Sequence, residues 1–150
     1  MTLIRAVAAF LSTQILATIW AVAYQLPYQF GGHGAPDRVL PDFWSHGTAL
    51  SAPAPVLIVV GILSLLSLRR SRVGTVATAI LMLLMALAVV TGVLEPTVRQ
   101  ALMGALPPLE RAGILVLTIA GLTLAVLVMV VAGGQLRARF AHGSGSVGAA

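Results

Sequence analysis

Apolar runs and short polar breaks alternate along this chain. Uncharged runs cover Ala6 to Leu26, Gly47 to Leu68, Val73 to Leu94 and Ala112 to Leu136. At ~1.5 Å per residue, each is long enough to cross a bilayer core of about 30 Å. None contains an acid, a base or a histidine. The pattern predicts an all-α membrane protein, an antiparallel four-transmembrane-helix bundle threaded up-down-up-down, with neighbours crossing at ~20°. Residues 1–140 form one such domain, and residues 141–150 are expected to be a disordered Gly/Ser/Ala tail.

The breaks carry their own pattern. Pro27 ends the first run, and Gly31 to Pro36 reads as loop. From Asp37 to His46, Val39, Leu40, Phe43 and Trp44 alternate with charges, as in a short helix lying on a membrane surface. Thr97 to Leu106 has the same character, with Val98, Ala101, Leu102, Ala105 and Leu106 on one side. Arg69-Arg70-Ser71-Arg72 is too short for anything but a tight turn between antiparallel helices. Small residues mark helix contacts at Gly61 and Ser64, and at Gly121-x-x-x-Ala125. Met82 and Met85 read as adaptable packing rather than a cofactor box. Pro53 and Pro55 fall near one end of the second run, where a late helix start is tolerable.

Composition agrees with the membrane reading. The chain of 150 residues is 59% hydrophobic and 9% charged. Its mean hydropathy is +1.02. So few charges cannot cover the surface of a soluble domain. The net charge of +5 points to topology rather than nucleic acid, since the nine basic residues, all arginine, sit at the ends of apolar runs. Arg5, Arg69, Arg70, Arg72, Arg137 and Arg139 fall on one side; Arg38, Arg99 and Arg111 fall on the other. The positive-inside rule then puts both termini in the cytoplasm of a multi-pass plasma-membrane protein. All four acids face outward in that arrangement. A basic start, an apolar stretch and Ala21-Val22-Ala23 also fit a cleaved signal peptide, but Gln14 and the bulky Trp20 weigh for a retained first span.

Candidate chemistry is sparse. Gln14, Thr18 and Gln25 share a stripe of the first span and are the candidate ligand-binding residues. The plainer reading is hydrogen bonding to neighbouring helices, each bond worth about 0.6–2 kcal/mol. On the outer face His33, Asp37, Asp42, His46 and Glu95 form a polar cluster. Its spacing matches no zinc motif; no metal is expected, and His33 and His46 are the ligands if one binds. Without cysteine, disulfides and thiolate sites are excluded. No motif specifies a cofactor, and no phosphate loop, nucleophile elbow or dinucleotide fingerprint occurs. The chain is similar in size to the small multidrug exporters, but those rely on an acid within the first span, where this chain has Gln14. The expected function is therefore an accessory or interaction subunit of a larger membrane assembly, partnered by lipid and by other subunits or further copies of itself. The alternative is a small-molecule or lipid binder or transporter. An enzyme at the outer face, using His33, Asp42 and His46, ranks third.

Overall fold

The computed structural model describes residues 2–28 and 34–144, with side chains as far as Ala141. Every regular element among them is helical: α1 (Leu3–Ala23), a 3-10 turn (Pro36–Arg38), α2 (Val39–Asp42), α3 (Ala54–Leu66), α4 (Arg72–Leu94), α5 (Pro96–Leu102) and α6 (Pro108–Ser144). Three of these are long and apolar enough to cross a membrane: α1, α4 and α6. α3 is apolar but has only 13 residues. Each of α1 and α4 packs against both α3 and α6, so these four helices contact one another in a ring.

The second apolar run is thus not one helix. Gly47 to Pro53 is irregular, and α3 begins only at Ala54. Pro53 sits at its N-cap and Pro55 within its first turn, where a missing N–H costs nothing. Deeper in the helix, proline would break the ladder. Gly47 contributes from the other end. Its φ is +86°, and a Cβ there would lie 2.5 Å from the Ser51 carbonyl oxygen. Glycine alone takes that conformation freely.

α1 stops differently. Gln25 sits just past the helix with φ 53°, in the left-handed region. Leu26 N–H donates to the Ala21 carbonyl at 2.8 Å and Gln25 N–H to that of Val22 at 3.3 Å. This is a Schellman stop with glutamine in the position that favours glycine. Gln25 is therefore off the helix, exposed, and away from the stripe that its spacing predicted.

Small residues set the helix spacing. The interior cluster holds Leu3, Val7 and Phe10 of α1, Val60 and Leu63 of α3, Leu81 and Met85 of α4, and Ala125, Val128 and Ala132 of α6. Met85 fills core space, and the end of Met82 lies 3.6 Å from where a Cβ on Gly133 would be. A Cβ on Gly113 would lie 2.1 Å from the Trp20 ring, which also stacks on Tyr24 at a centroid distance of 4.5 Å. A second cluster, with Ala21, Leu26, Val39, Val98, Ala101 and Ile114, closes the loop end. In α5, Val98 and Ala101 pack inward, so one face of that helix covers protein; Leu102 and Met103 are exposed. α6 continues to Ser144, so the first residues of the expected tail are helical, and residues 145–150 lie outside the described residues.

Candidate functional site

Because α3 starts late, irregular chain rather than helix stands beside α1 at the loop end. The space left holds a cavity of about 400 Å³. Its floor is apolar, made by Phe10, Leu84 and Ala125, and Leu117 and Leu122 form a wall. Its mouth is polar, with Tyr28, His46, Thr48, Ser51, Thr91 and Glu95. Leu84 and Glu95 both line it and lie eleven residues apart along α4, a rise of about 16 Å. The cavity therefore runs from mid-helix depth to the loop surface.

Gln14 holds the irregular wall in place. It is 7% exposed, and its Oε1 accepts a hydrogen bond from the Ala52 N–H at 3.2 Å. Its Nε2 lies 3.5 Å from where a Cβ on Gly121 would be, so glycine at that position gives the amide room. Non-helical backbone at membrane depth must find partners inside the protein. Other N–H groups of this stretch also find partners within the protein. Thr48 N–H donates to the Ser51 carbonyl at 2.9 Å, Ala49 N–H to that of Leu26 at 3.4 Å, and Ala54 N–H to that of Phe43 at 3.0 Å. Leu50 N–H donates to the Thr48 hydroxyl at 3.3 Å.

Glu95 is the acidic residue among the described residues that line the cavity. It joins α4 to α5, its carbonyl accepting from Val98 and Arg99 N–H at 3.1 and 3.2 Å. It is only 3% exposed, while lining the cavity. Tyr28 lies near enough to feel it. Burial first, and the negative Glu95 second, push the Tyr28 hydroxyl above the ordinary tyrosine range. That hydroxyl keeps its proton at neutral pH.

Of the residues singled out by sequence, the cavity brings together Gln14, His46 and Glu95, with Thr18 left out. Thr18 instead donates to the Gln14 carbonyl at 2.9 Å within its own helix. Asp37 is exposed, and Asp42 faces Arg38 at 3.9 Å in a surface pair of small energetic weight. His46 is exposed, its Nδ1 2.8 Å from the Ser45 hydroxyl. His33 lies outside the described residues. Among the described residues, no three His, Asp or Glu side chains assemble as a metal site. Sequence reasoning missed Tyr28, Thr48, Ser51, Thr91 and Thr118 as lining residues. The available signal was the spacing of Leu84, Leu87, Ala88, Thr91 and Glu95, which puts one apolar-to-polar stripe along α4. Comparison of the chain with protein-family profiles, with curated proteins and with solved structures finds no match.

Proposed function

We propose that this chain is a plasma-membrane protein that holds a small amphiphilic molecule in the cavity at its outer end. One observation carries the reading. The cavity is lined by apolar side chains of α1, α4 and α6 and by polar groups of the loop end, with the irregular segment Thr48 to Pro53 along one side. Ligand sites are concave, mostly apolar and furnished with a few polar groups.

The membrane setting rests on α1, α4 and α6 and on what they face. On α4, Val73, Val76, Ile80, Leu83, Leu87, Val90 and Leu94 are exposed, three and four residues apart. A stripe of that width suits acyl chains. The segment from Gly47 to Leu66 makes a fourth crossing, part irregular and part helix, and the arginine bias gives cytoplasmic termini. α1 works as a retained span, since Leu3, Ala6, Val7, Phe10 and Ala17 belong to the interior. A topology reporter fused after Ala150 should read cytoplasmic.

Native mass spectrometry of the full chain released from its own membrane tests the ligand. The expected result is a bound small molecule that Ala88→Phe, which fills the cavity, displaces. Bare protein carrying a stoichiometric protein partner defeats this reading and leaves the accessory subunit. For that role the exposed apolar faces would serve as contact surfaces.

A further inference from the structure

We propose that the hairpin end of the molecule binds an anionic phospholipid, its phosphate beside Arg69, Arg70, Arg72 and Arg139 and its acyl chains along the apolar ridge of α4. This rests on the membrane setting proposed above and is independent of the cavity.

The charge at this end is large and uncompensated by side chains. Gln14 meets Ala52, and Leu11 lies near Gly61, so α1 runs antiparallel to α3 and starts where α3 stops. Arg139 of α6 reaches the same end, donating to the Ser67 carbonyl and, at 3.5 Å, to the Thr75 hydroxyl. Arg5, Arg69, Arg70, Arg72, Arg137 and Arg139 therefore share one end. The four acids stand at the other: Asp37 and Asp42 around α2, Glu95 after α4, and Glu110 in the first turn of α6. From Arg72 to Glu95 the rise along α4 is roughly 34 Å. Charges interact in salt over only about 8–10 Å. The two helices that begin at the hairpin end, α1 and α4, have no acid in the first turn and no side-chain cap. Their N-terminal dipoles add to the positive potential.

Four of the arginines are gathered by the hairpin itself. Arg69, Arg70 and Arg72 are exposed within four consecutive residues. Arg139 is half-buried against them, and both of its bonded acceptors are neutral. A guanidinium has five N–H donors in a fixed fork, and phosphate matches that fork. What lies next to the arginines selects a lipid over a soluble anion. Leu68 precedes them and Val73 follows, and Val76 and Ile80 continue the ridge along α4, all exposed. A phosphate at the arginines thus has apolar surface directly below for the chains attached to it.

The test uses the full chain in nanodiscs of equal phosphatidylglycerol and phosphatidylcholine with the same acyl chains. Native mass spectrometry counts the lipids that stay bound after release. Both leaflets have one composition, so orientation does not enter. Phosphatidylglycerol should be retained over phosphatidylcholine by roughly fivefold or more. Arg70→Gln with Arg72→Gln should remove most of that preference, and the lysine pair at the same positions should keep it. Arg99→Gln with Arg111→Gln changes net charge equally at the loop end and should leave the preference intact. Unchanged phosphatidylcholine retention is the check that each variant has folded. Equal retention of both lipids by the wild-type chain, survival of the preference in Arg70→Gln/Arg72→Gln, or equal loss in the two glutamine pairs overturns the site and leaves the membrane setting standing. Displacement of the lipid by millimolar glycerol phosphate overturns the role of the apolar ridge and with it the lipid assignment. A chain that does not enter discs at all sinks the membrane setting as well.

Discussion

The two ends of this molecule are built from the same apolar composition and behave in opposite ways. At the hairpin end, α3 passes into α4 in a few residues and is closed down on itself. A Cβ on Gly74 would lie 1.9 Å from the Arg69 carbonyl oxygen, so the turn is packed to the backbone. Arg139 reaches across from α6, donating to the Ser67 carbonyl at the end of α3 and, at 3.5 Å, to the Thr75 hydroxyl near the start of α4. At the loop end, Gly47 to Pro53 is irregular, and a cavity opens beside it. In both places backbone polar groups leave the helical ladder in apolar surroundings. In both, one long polar side chain from another helix partners them: Arg139 at the hairpin, Gln14 at the cavity. The difference lies in what glycine and proline do nearby. Gly74 lets two stretches of backbone touch, whereas Gly47, Pro53 and Pro55 hold a helix off.

That contrast can be broken at several points. The largest effect is expected at Gly74→Ala. The added carbon meets backbone, which cannot yield as a flexible side chain can, and the cost should be about 3 kcal/mol or more. Detergent-solubilised protein should show a much lower thermal midpoint or fail to accumulate. A near-native midpoint would mean the turn is looser than described.

Next comes Arg139→Met, which keeps the stem and removes the donors. Hydrogen bonds to charged groups are worth ~1.5–3 kcal/mol. The loss should appear in the midpoint and as faster amide exchange at the end of α3, while the small molecule retained in native mass spectrometry stays unchanged. If retention falls with it, the two ends are not independent.

Gln14→Leu should cost about 1–2 kcal/mol, because it strands the Ala52 N–H. Here the ligand site should suffer with stability, as the cavity wall is the part released. Unchanged amide protection between Thr48 and Ala54 would remove Gln14 from its bridging role.

Gln25→Gly should act in the opposite direction. Relieving a left-handed glutamine should stabilise the chain by about 1 kcal/mol. A lower midpoint would mean the glutamine side chain contributes something the backbone geometry does not reveal.

The smallest expected effect is spectroscopic. In a Tyr24→Phe background, Tyr28 is the remaining tyrosine, and its ultraviolet titration should have a midpoint above the usual ~10. Glu95→Gln should bring that midpoint down by removing the negative charge, though burial, the larger cause, will keep it raised. Stability moves with the same proton. A raised folded-state value favours the protonated phenol, so this contribution is intact below the unfolded value of about 10 and is lost as pH climbs through the folded one.

Much of the helix layout was legible in the residues. The uncharged runs anticipate α1, α4 and the apolar part of α6, and Arg69 to Arg72 marks the hairpin, because in an apolar setting charges can stand only at the ends of runs. Gly121 and Ala125 read correctly as a contact stripe, and both are buried. In the second run Pro53 and Pro55 marked where a helix could start late, as α3 does, but hydropathy cannot tell an apolar helix from an apolar irregular segment. Gly47 to Pro53 is as uncharged as α3 itself.

The site divides along the same line. Gln14 stood out because a lone amide in an apolar run needs a partner, but its spacing to Thr18 and Gln25 suggested the wrong companions. Spacing assumes the helix continues, and α1 ends before Gln25.

By itself, the sequence determined that this chain is helical, apolar and basic at its breaks, because those properties are local and additive. Only the tertiary structure decided that Glu95 is buried, that Gln14 meets Ala52 across 38 positions of chain, and that space remains between them. Burial and cavities depend on what other elements fail to fill, and no single stretch of residues carries that information.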